Sequence, residues 1–308
     1  MRPIVLLMGP TASGKTALSL ALAERLPVEI VSVDSALVYR GMDIGSAKPD
    51  ATMRARVPHH LIDILDPAEP YSAARFARDA CQLIDEIRTR DRVPLLVGGT
   101  MLYFRALTRG LDEMPSADPA LRARLEREAE QEGAPALHGR LARLDPAAAA
   151  RLHPNDLQRV QRALEVIELT GRPLAEAQRG QRAGLLRGPV VKLSLNPPQR
   201  SELHARIERR FHQMMAVGFL DEVARLHRRG DLHAELPSMR AVGYRQLWGH
   251  LQGEYGLDEA VERGIAATRQ FAKRQLTWLR SEPDLIWLDP ESPDLAAQAL
   301  RANPMLDC

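Results

Sequence analysis

The sequence GPTASGKT at residues 9–16 decides the fold of this chain. It matches the phosphate-binding pattern G-x-x-x-x-G-K-[ST] at every fixed position. The apolar residues 4–8 before it are typical of a short buried strand, and the Ala- and Leu-rich residues 17–26 after it predict a helix. Strand, glycine-rich turn and helix in this order indicate a true phosphate loop, because a chance match to the pattern would lack that context.

The chemistry of this loop follows from its backbone and from two side chains. Its successive N–H groups and the N-terminus of the following helix present partial positive charge to an anion. Lys15 is expected to contact phosphate oxygens as a point charge, and Thr16 to offer its hydroxyl to Mg²⁺. The alternative is a glycine turn that binds nothing, yet a Lys–Thr pair buried there has little use without an anion. We therefore predict a phosphate site that uses Mg²⁺.

Length, composition and charge limit the class of protein. The 308 residues suffice for one large or two smaller domains, and 45% hydrophobic with 27% charged residues is ordinary for a globular chain. The net charge of +2 means that a polyanionic partner must be held by a local basic surface. The two cysteines, Cys81 and Cys308, suggest no disulfide framework and favour a reducing compartment. No segment approaches the roughly 18 apolar residues that span a membrane, so we predict a cytoplasmic protein.

The residues after the loop predict a parallel sheet. Residues 29–33 are typical of a second strand that ends at Asp34, so strand, helix and strand form a βαβ unit. Residues 94–97 predict another buried strand, which ends in a Gly-Gly turn before Thr100. Ligands bind beyond the carboxyl ends of the strands in such sheets, and both Asp34 and Thr100 stand at that edge. Thr100 could equally be no more than the N-cap of the helix that follows it.

The predicted fold class is α/β, with a P-loop NTPase-like core whose parallel sheet is flanked by helices, plus an all-helical insertion domain. Residues 1–114 and 189–308 are expected to form the core. Residues 115–188 are charged, rich in Ala, Leu and Arg, and lack strand patterns, so they predict the insertion. Residues 39–49 contain two glycines and a proline and predict a loop over the site. The tail from residue 291 onward is expected to be frayed.

Two helical stretches carry basic residues that could face a nucleic acid. A helix of the insertion begins after Asp156 and presents Gln158, Arg159, Gln161 and Arg162. A late helix over residues 257–280 places Lys273, Thr277 and Arg280 at i, i+4 and i+7 spacing, as a basic ridge. Lys and Arg contacts supply much of the affinity for nucleic acids, although a solvated helix face would explain the same charges. An aromatic content of 4% argues against a broad stacking platform but leaves room for one extruded base.

The residues by themselves leave the reaction open. Most chains with this loop are ATPases, GTPases or small-molecule kinases. Asp34 could hold Mg²⁺, bind a nucleoside hydroxyl, act as a general base, or only cap the following helix. A non-catalytic RNA-binding module is disfavoured because the phosphate loop is complete.

Seven blocks of the sequence, in order between residues 9 and 280, resemble bacterial tRNA dimethylallyltransferases. These blocks are GPTASGKT, VDSALVYRGMDIGSAKP, PHHLIDI, LLVGGTMLYFRAL, HPNDLQRVQRALEV, RAVGYRQLW and TRQFAKRQLTWLR. The resemblance implies transfer of a dimethylallyl group from dimethylallyl pyrophosphate to N6 of the adenosine 3′-adjacent to the anticodon of tRNA, with release of diphosphate. The alternatives are a P-loop kinase or nucleotide hydrolase acting on a small metabolite, and a prenyltransferase acting on free adenine nucleotides. The helical insertion and the basic late helix count against a prenyltransferase acting on free nucleotides, because a mononucleotide substrate needs neither.

The resemblance also implies a role for individual residues. Asp34 would be the general base and Thr100 the hydroxyl aimed at the leaving oxygen, with Thr16 on Mg²⁺. The pyrophosphate would lie on Gly9, Pro10, Thr11, Ala12, Ser13, Gly14, Lys15, Thr16 and Arg210, although Arg209 is adjacent to Arg210. The tRNA would contact Asp34, Ser35, Ala36, Leu37, Thr100, Arg122, Gln158, Arg159, Val160, Gln161, Arg162, Arg240, Ala241, Val242, Gly243, Tyr244, Arg245, Lys273, Arg274, Gln275, Leu276, Thr277, Trp278, Leu279 and Arg280. No apolar stripe demands a partner, so we expect a monomer.

Overall fold

The computed structural model describes residues 1–111, 114–115, 118–177, 183–195, 199–302 and 305. The chain divides into two compact units. The first comprises Met1–Leu107 and Leu185–Cys308, and the second comprises Thr108–Gly184. Cys308 lies outside the described residues, and Cys81 is a free, half-buried thiol. Within the described part of the chain, no helix is long and apolar enough to cross a membrane.

A parallel sheet forms the centre of the first unit. Its strands are β1 (Ile4–Met8), β2 (Val28–Val33), β3 (His59–His60), β4 (Val93–Gly98), β5 (Val190–Leu195) and β6 (Leu285–Leu288). They are hydrogen-bonded in the order β3-β2-β4-β1-β5-β6. The strands β1 and β2 are buried along their whole length, as a sheet covered on both faces requires. Met8 and Val33 both pair with Gly98, so the carboxyl ends of β1, β2 and β4 lie level with one another.

Helices flank this sheet and form the second unit. In chain order they are α1 (Lys15–Ala23), α2 (Ala51–Arg56), α3 (Ala73–Thr89), α4 (Met101–Arg109), α5 (Pro119–Glu132), α6 (Ala134–Leu144), α7 (Pro146–Ala149), α8 (Leu157–Thr170), α9 (Leu174–Ala177), α10 (Arg200–Ala216), α11 (Phe219–His227), α12 (Tyr244–Leu251), α13 (Leu257–Arg280) and α14 (Leu295–Arg301). Ser72 caps α3 by accepting the N–H of Arg75, and Asp156 caps α8 by accepting the N–H of Arg159. The α/β class and the P-loop NTPase-like core predicted from sequence are confirmed.

The prediction of a frayed tail is wrong for residues 295–301, which form α14. Asp294 caps this helix by accepting the N–H of Ala297 at 2.9 Å. Ala296 and Ala299 are buried in the same core cluster as Leu18 and Leu22 of α1. The capping residue and the small apolar face therefore stabilise α14.

The second unit has a hydrophobic core of its own, contributed by α5, α6, α7 and α8. It contains Leu125, Leu137, Leu141, Ala148, Ala149, Val160, Ala163 and Leu164. Glu165 of α8 is 1% exposed and accepts hydrogen bonds from Arg122, Arg162 and the N–H of Asp118. Burial favours the neutral form of Glu165, but these donors outweigh it and hold its pKa below the usual range.

Candidate active site

The phosphate loop joins the end of β1 to the start of α1. Ala12 (φ 61°) and Gly14 (φ 97°) both adopt left-handed backbone conformations. Where residues in the left-handed backbone conformation alternate with residues in the right-handed one, successive N–H groups point towards a common centre. The resulting concave arrangement of N–H groups, called a nest, binds anions. At Gly14 the glycine avoids the steric cost of that conformation, whereas Ala12 carries it, at roughly 1–2 kcal/mol. The N-terminus of α1 begins directly after Gly14, so its dipole adds to the same site.

The Lys15 side chain folds back onto the start of this loop. Its ammonium donates hydrogen bonds to the carbonyl oxygens of Gly9 at 2.9 Å and Pro10 at 2.6 Å. An ammonium has three donors, so one remains for a bound anion. Burial and the positive charge of Arg210 lower the pKa of Lys15 to about 7, and the negative charge of Asp34 opposes this shift. An anion in the loop would favour the charged form.

The affinity for inorganic diphosphate should therefore fall as the pH rises above about 7. Lys15 loses its proton in that range in the unliganded protein, and only the charged form attracts the anion. Each further pH unit should weaken binding by up to about tenfold, because the competent fraction shrinks by that factor. Titration calorimetry with diphosphate at several pH values measures the effect. A Lys15→Arg variant stays charged and serves as the control, and parallel pH profiles for the two proteins would contradict the prediction.

A cavity of about 360 Å³ opens beside the loop, at the carboxyl edge of the sheet. Many residues that the sequence assigned to the site line it, namely Thr11, Ala12, Asp34, Ser35, Ala36, Thr100, Arg210, Arg240, Ala241, Val242, Tyr244 and Arg274. Gly45 and Ser46 also line it and belong to the 39–49 loop that the sequence placed over the site. Sequence reasoning missed the other lining residues, which are Ile207, Phe211, Met214, Phe219, Pro237, Thr268 and Phe271. Most of the missed residues are apolar, and the sequence offered only their helical periodicity, which does not separate a cavity wall from a core.

Asp34 follows β2 and is held on both sides by Thr100. The N–H of Thr100 donates to the carbonyl of Val33 at 3.2 Å, and its hydroxyl oxygen accepts the N–H of Ser35 at 3.1 Å. The Thr100 side chain therefore bonds to the Asp34 loop, and its hydroxyl proton can still be donated elsewhere. Asp34 Oδ1 accepts the N–H of Ala36 at 2.8 Å, which leaves Oδ2 for a ligand. The chain continues in turns after Asp34, so the idea that Asp34 caps a following helix is wrong.

Two cations, Lys15 and Arg210, are close enough to Asp34 for its negative charge to raise their pKa values. Arg210 of α10 lines the cavity, whereas its neighbour Arg209 is exposed and lies outside it. Burial lowers the pKa of Arg210, and the negative charge of Asp34 raises it, as it does for Lys15. The arrangement combines two positive charges with one carboxylate, so it can hold a multiply charged anion and accept a proton beside it.

The loop over the site, residues 39–49, is fixed by a buried carboxylate that sequence reasoning missed. Glu222 of α11 is 1% exposed. It accepts the N–H groups of Asp43, Ile44 and Gly45 at 2.9, 2.8 and 3.1 Å and the hydroxyl of Tyr244 at 2.6 Å. The signal in the sequence is that Glu222 stands where the apolar stripe of α11 would need a hydrophobic residue.

The residues that the resemblance assigned to tRNA differ in their exposure. On α13, the side chains of Lys273, Arg274, Thr277, Trp278 and Arg280 are exposed, and Leu276 is half-buried. Arg240 and Arg245 are exposed before and within α12, and Gln158 and Arg159 on α8. Val160, Gly243, Gln275 and Leu279 are buried, and Tyr244 is buried but lines the cavity. The assignment of these residues to tRNA stays a prediction. Arg122 and Arg162 are paired with Glu165, and Leu37, Gln161, Ala241 and Val242 are half-buried.

Comparison with known proteins places these features in a family. The chain matches the family described as IPP transferase over residues 37–282 and that described as isopentenyl transferase over residues 2–56. The tRNA dimethylallyltransferase of Alkalilimnicola ehrlichii is 64% identical over 290 residues, which cover 94% of this chain and 91% of the relative. That of Bordetella parapertussis is 57% identical over 303 residues, covering 98% and 97%.

Solved structures agree with the sequence relatives. The tRNA isopentenylpyrophosphate transferase of Bacillus halodurans is 40% identical, with a TM-score of 0.72 over 100% of this chain and 97% of that one. A eukaryotic dimethylallyltransferase acting on tRNA is 26% identical, with a TM-score of 0.78 over 97% of this chain and 77% of that one. A phosphate loop and an acidic side chain on one cavity, together with these matches, establish that the chain belongs to the IPP transferase family.

Proposed function

We propose that this protein transfers a dimethylallyl group from dimethylallyl pyrophosphate to N6 of the adenosine 3′-adjacent to the anticodon of tRNA. The products are N6-(dimethylallyl)adenosine and diphosphate. The observation that carries the proposal is that Thr11 and Ala12 of the phosphate loop, Asp34 and Thr100 line one cavity of about 360 Å³. Relatives named for this activity, similar over nearly their full length, support it.

The donor's diphosphate fits the loop electrostatically. Loop N–H groups, Lys15 and Arg210 would neutralise the charge that grows on the leaving group as the allylic C–O bond breaks. Mg²⁺, when bound, would share that neutralisation. The exposed hydroxyl of Thr16 at the first turn of α1 fits such an ion, because Mg²⁺ commonly takes few protein ligands and completes its shell with phosphate oxygens and water. Among the described residues there is no group of three or more His, Cys, Asp or Glu suited to a metal.

Asp34 and Thr100 would act on the two sides of the transferred carbon. The amine of adenine is a poor nucleophile because its lone pair is delocalised into the ring. Asp34 would accept a proton from this amine as the C–N bond forms, and Thr100 would donate its hydroxyl hydrogen to the oxygen that leaves with diphosphate. The adenine must leave its stack to reach Asp34, at a cost of roughly a few kcal/mol.

The apolar wall of the cavity suits the dimethylallyl group. Ile207, Phe211, Met214, Phe219 and Phe271 provide it. An apolar surround would exclude water from the allylic cation character that develops at the reacting carbon. The exposed cations of α13 and α12, and Arg159 of the helical unit, are the proposed contacts of the tRNA backbone. The monomeric state and the cytoplasmic location stay predictions.

A Thr100→Val variant should lower the turnover number by about 10- to 100-fold, because valine keeps the shape but loses the hydroxyl. It also leaves the N–H of Ser35 without the acceptor it has at 3.1 Å. A Thr100→Ser variant restores both functions and should recover most of the turnover. Steady-state kinetics with saturating RNA and donor measure both variants. A fully active Thr100→Val protein would remove Thr100 from the mechanism.

Label transfer tests the proposed function directly. The protein is incubated with Mg²⁺, radiolabelled dimethylallyl pyrophosphate and an anticodon stem-loop RNA, and RNA-bound label is counted. We expect label on this RNA and none on the same RNA with guanosine in place of the target adenosine. Hydrolysis of ATP without any RNA requirement, together with no label transfer, would instead favour a P-loop kinase or nucleotide hydrolase.

A further inference from the structure

Gln275 of α13 connects two segments of the candidate active site. It is 4% exposed, and both ends of its side-chain amide are used. Oε1 accepts the N–H of Thr11 in the phosphate loop at 2.9 Å, and Nε2 donates to the carbonyl of Gly99 at 2.8 Å. Gly99 directly precedes Thr100. One amide therefore fixes the separation between the loop that faces the anion and the turn that carries the catalytic hydroxyl.

The turn is shaped to receive this amide. A Cβ at Gly99 would lie 2.2 Å from Nε2 of Gln275, which is far inside van der Waals contact. Because Gly99 has no side chain, Nε2 of Gln275 can approach closely enough to donate to the carbonyl of Gly99. The N–H of Thr11 is already taken by Oε1, so the anion must rely on the other N–H groups of the loop.

Because Gln275 lies on α13, its hydrogen bonds to Thr11 and Gly99 also link these two segments to the helix that carries exposed cations. Arg274, the preceding residue, is exposed and lines the cavity. Lys273 and Thr277 are also exposed on α13. The helix proposed to contact tRNA is therefore joined through Gln275 to the donor loop, with no intervening residue.

We propose that Gln275 is a positioning residue, which holds the diphosphate loop and the Thr100 turn in register and ties both to the RNA-facing helix. It touches neither the diphosphate nor the RNA. Its contribution should therefore appear in turnover and in diphosphate binding, and not in RNA affinity. The turnover part rests on the proposed function, whereas the diphosphate-binding part does not.

Kinetics of a Gln275→Leu variant test this role. Leucine fills a similar volume but leaves the N–H of Thr11 and the carbonyl of Gly99 unpaired. The turnover number should fall by about 10- to 100-fold, and diphosphate should bind about tenfold more weakly. The KM for the anticodon stem-loop RNA should stay within about twofold. The control is Gln270→Leu, an exposed glutamine on the same helix, which should change none of these values. A raised KM for RNA with unchanged turnover, or unchanged diphosphate binding, would overturn the proposal.

A second variant keeps the proposal testable if leucine impairs folding. In Gln275→Glu, the neutral carboxylic acid can both accept from Thr11 and donate to Gly99, but the ionised form cannot donate. Its turnover number should fall by about tenfold, and its KM for the RNA should stay within about twofold of wild type. Wild-type turnover in this variant would contradict the positioning role.

A double-mutant cycle tests the link to Gly99. The Gly99→Ala variant should reproduce the Gln275→Leu defect, because the new methyl group displaces Nε2. The two changes together should cost no more than either alone. Additive losses would show that Gly99 and Gln275 act separately. If wild-type protein transfers no label at all, the proposed function fails, while the diphosphate-binding measurements still decide the role of Gln275.

Discussion

Replacement of Asp34 by asparagine should lower the turnover number by about 10²- to 10⁴-fold, the range expected for loss of a general base. Asparagine keeps an oxygen that can accept the N–H of Ala36, so the turn after β2 should stay intact. The amide cannot take a proton from the adenine amine. It also removes the negative charge that faces Lys15 and Arg210, so donor binding should be retained or strengthened.

Single-turnover kinetics and RNA binding distinguish loss of chemistry from loss of structure. We expect the affinity of the Asp34→Asn protein for anticodon stem-loop RNA to stay within about twofold of wild type, because the substitution leaves the contacts that bind the RNA in the ground state in place. Asp85→Asn, an exposed carboxylate of α3, is the matched control and should keep full turnover. Full turnover in the Asp34→Asn protein would eliminate Asp34 as the base.

Replacement of Glu222 by alanine should have the largest effect on stability. The change leaves three backbone N–H groups of the 39–49 loop and the hydroxyl of Tyr244 without their acceptor. Each buried unpaired donor costs about 1–3 kcal/mol, and water entering the space recovers part of that. We expect the free energy of unfolding to fall by about 3–5 kcal/mol, as when one partner of a buried polar network is removed.

The turnover number of the Glu222→Ala protein should also fall, because the 39–49 loop that it loosens lines the cavity. Gly45 and Ser46 of this loop line the cavity, and Tyr244 lines it beside them. Urea unfolding measures the stability change, and the slope with denaturant should not change. Asp221→Ala, the neighbouring exposed carboxylate on α11, should cost less than about 1 kcal/mol, its contribution to the helix dipole. A Glu222→Ala protein as stable as the Asp221→Ala control would show that the loop is held by other contacts.

The central part of the fold and site could be predicted because it follows from local patterns. The phosphate loop lies between an apolar strand and a helix, and the parallel sheet brings strand ends to one edge. The placement of Asp34 and Thr100 at that edge follows from the parallel direction of the strands, because each residue lies just beyond the carboxyl end of its strand. The structure adds contacts that the sequence does not show. Thr100 forms hydrogen bonds with Val33 and Ser35, the two residues on either side of Asp34.

The residues that could not be predicted depend on contacts between distant segments. Gln275 is 264 positions from Thr11 and 176 from Gly99 in sequence. Periodicity places Gln275 on a helix but cannot say that its side chain turns inward among exposed cations. Glu222 is likewise 179 positions from Asp43, and only its place in an apolar stripe marks it. Asp294 offers a local N-cap for α14, but the packing of Ala296 and Ala299 against the core cannot be read from the sequence.

We propose that the phosphate loop holds the diphosphate of a prenyl donor and not a triphosphate. Mass analysis of the nucleosides of tRNA, after incubation of the protein with dimethylallyl pyrophosphate, ATP and Mg²⁺ together, tests it most directly. We expect one dimethylallyl group on the adenosine next to the anticodon, with diphosphate released in equal amount and ATP unconsumed. Unmodified tRNA with ATP consumed would show that the loop serves a triphosphate instead.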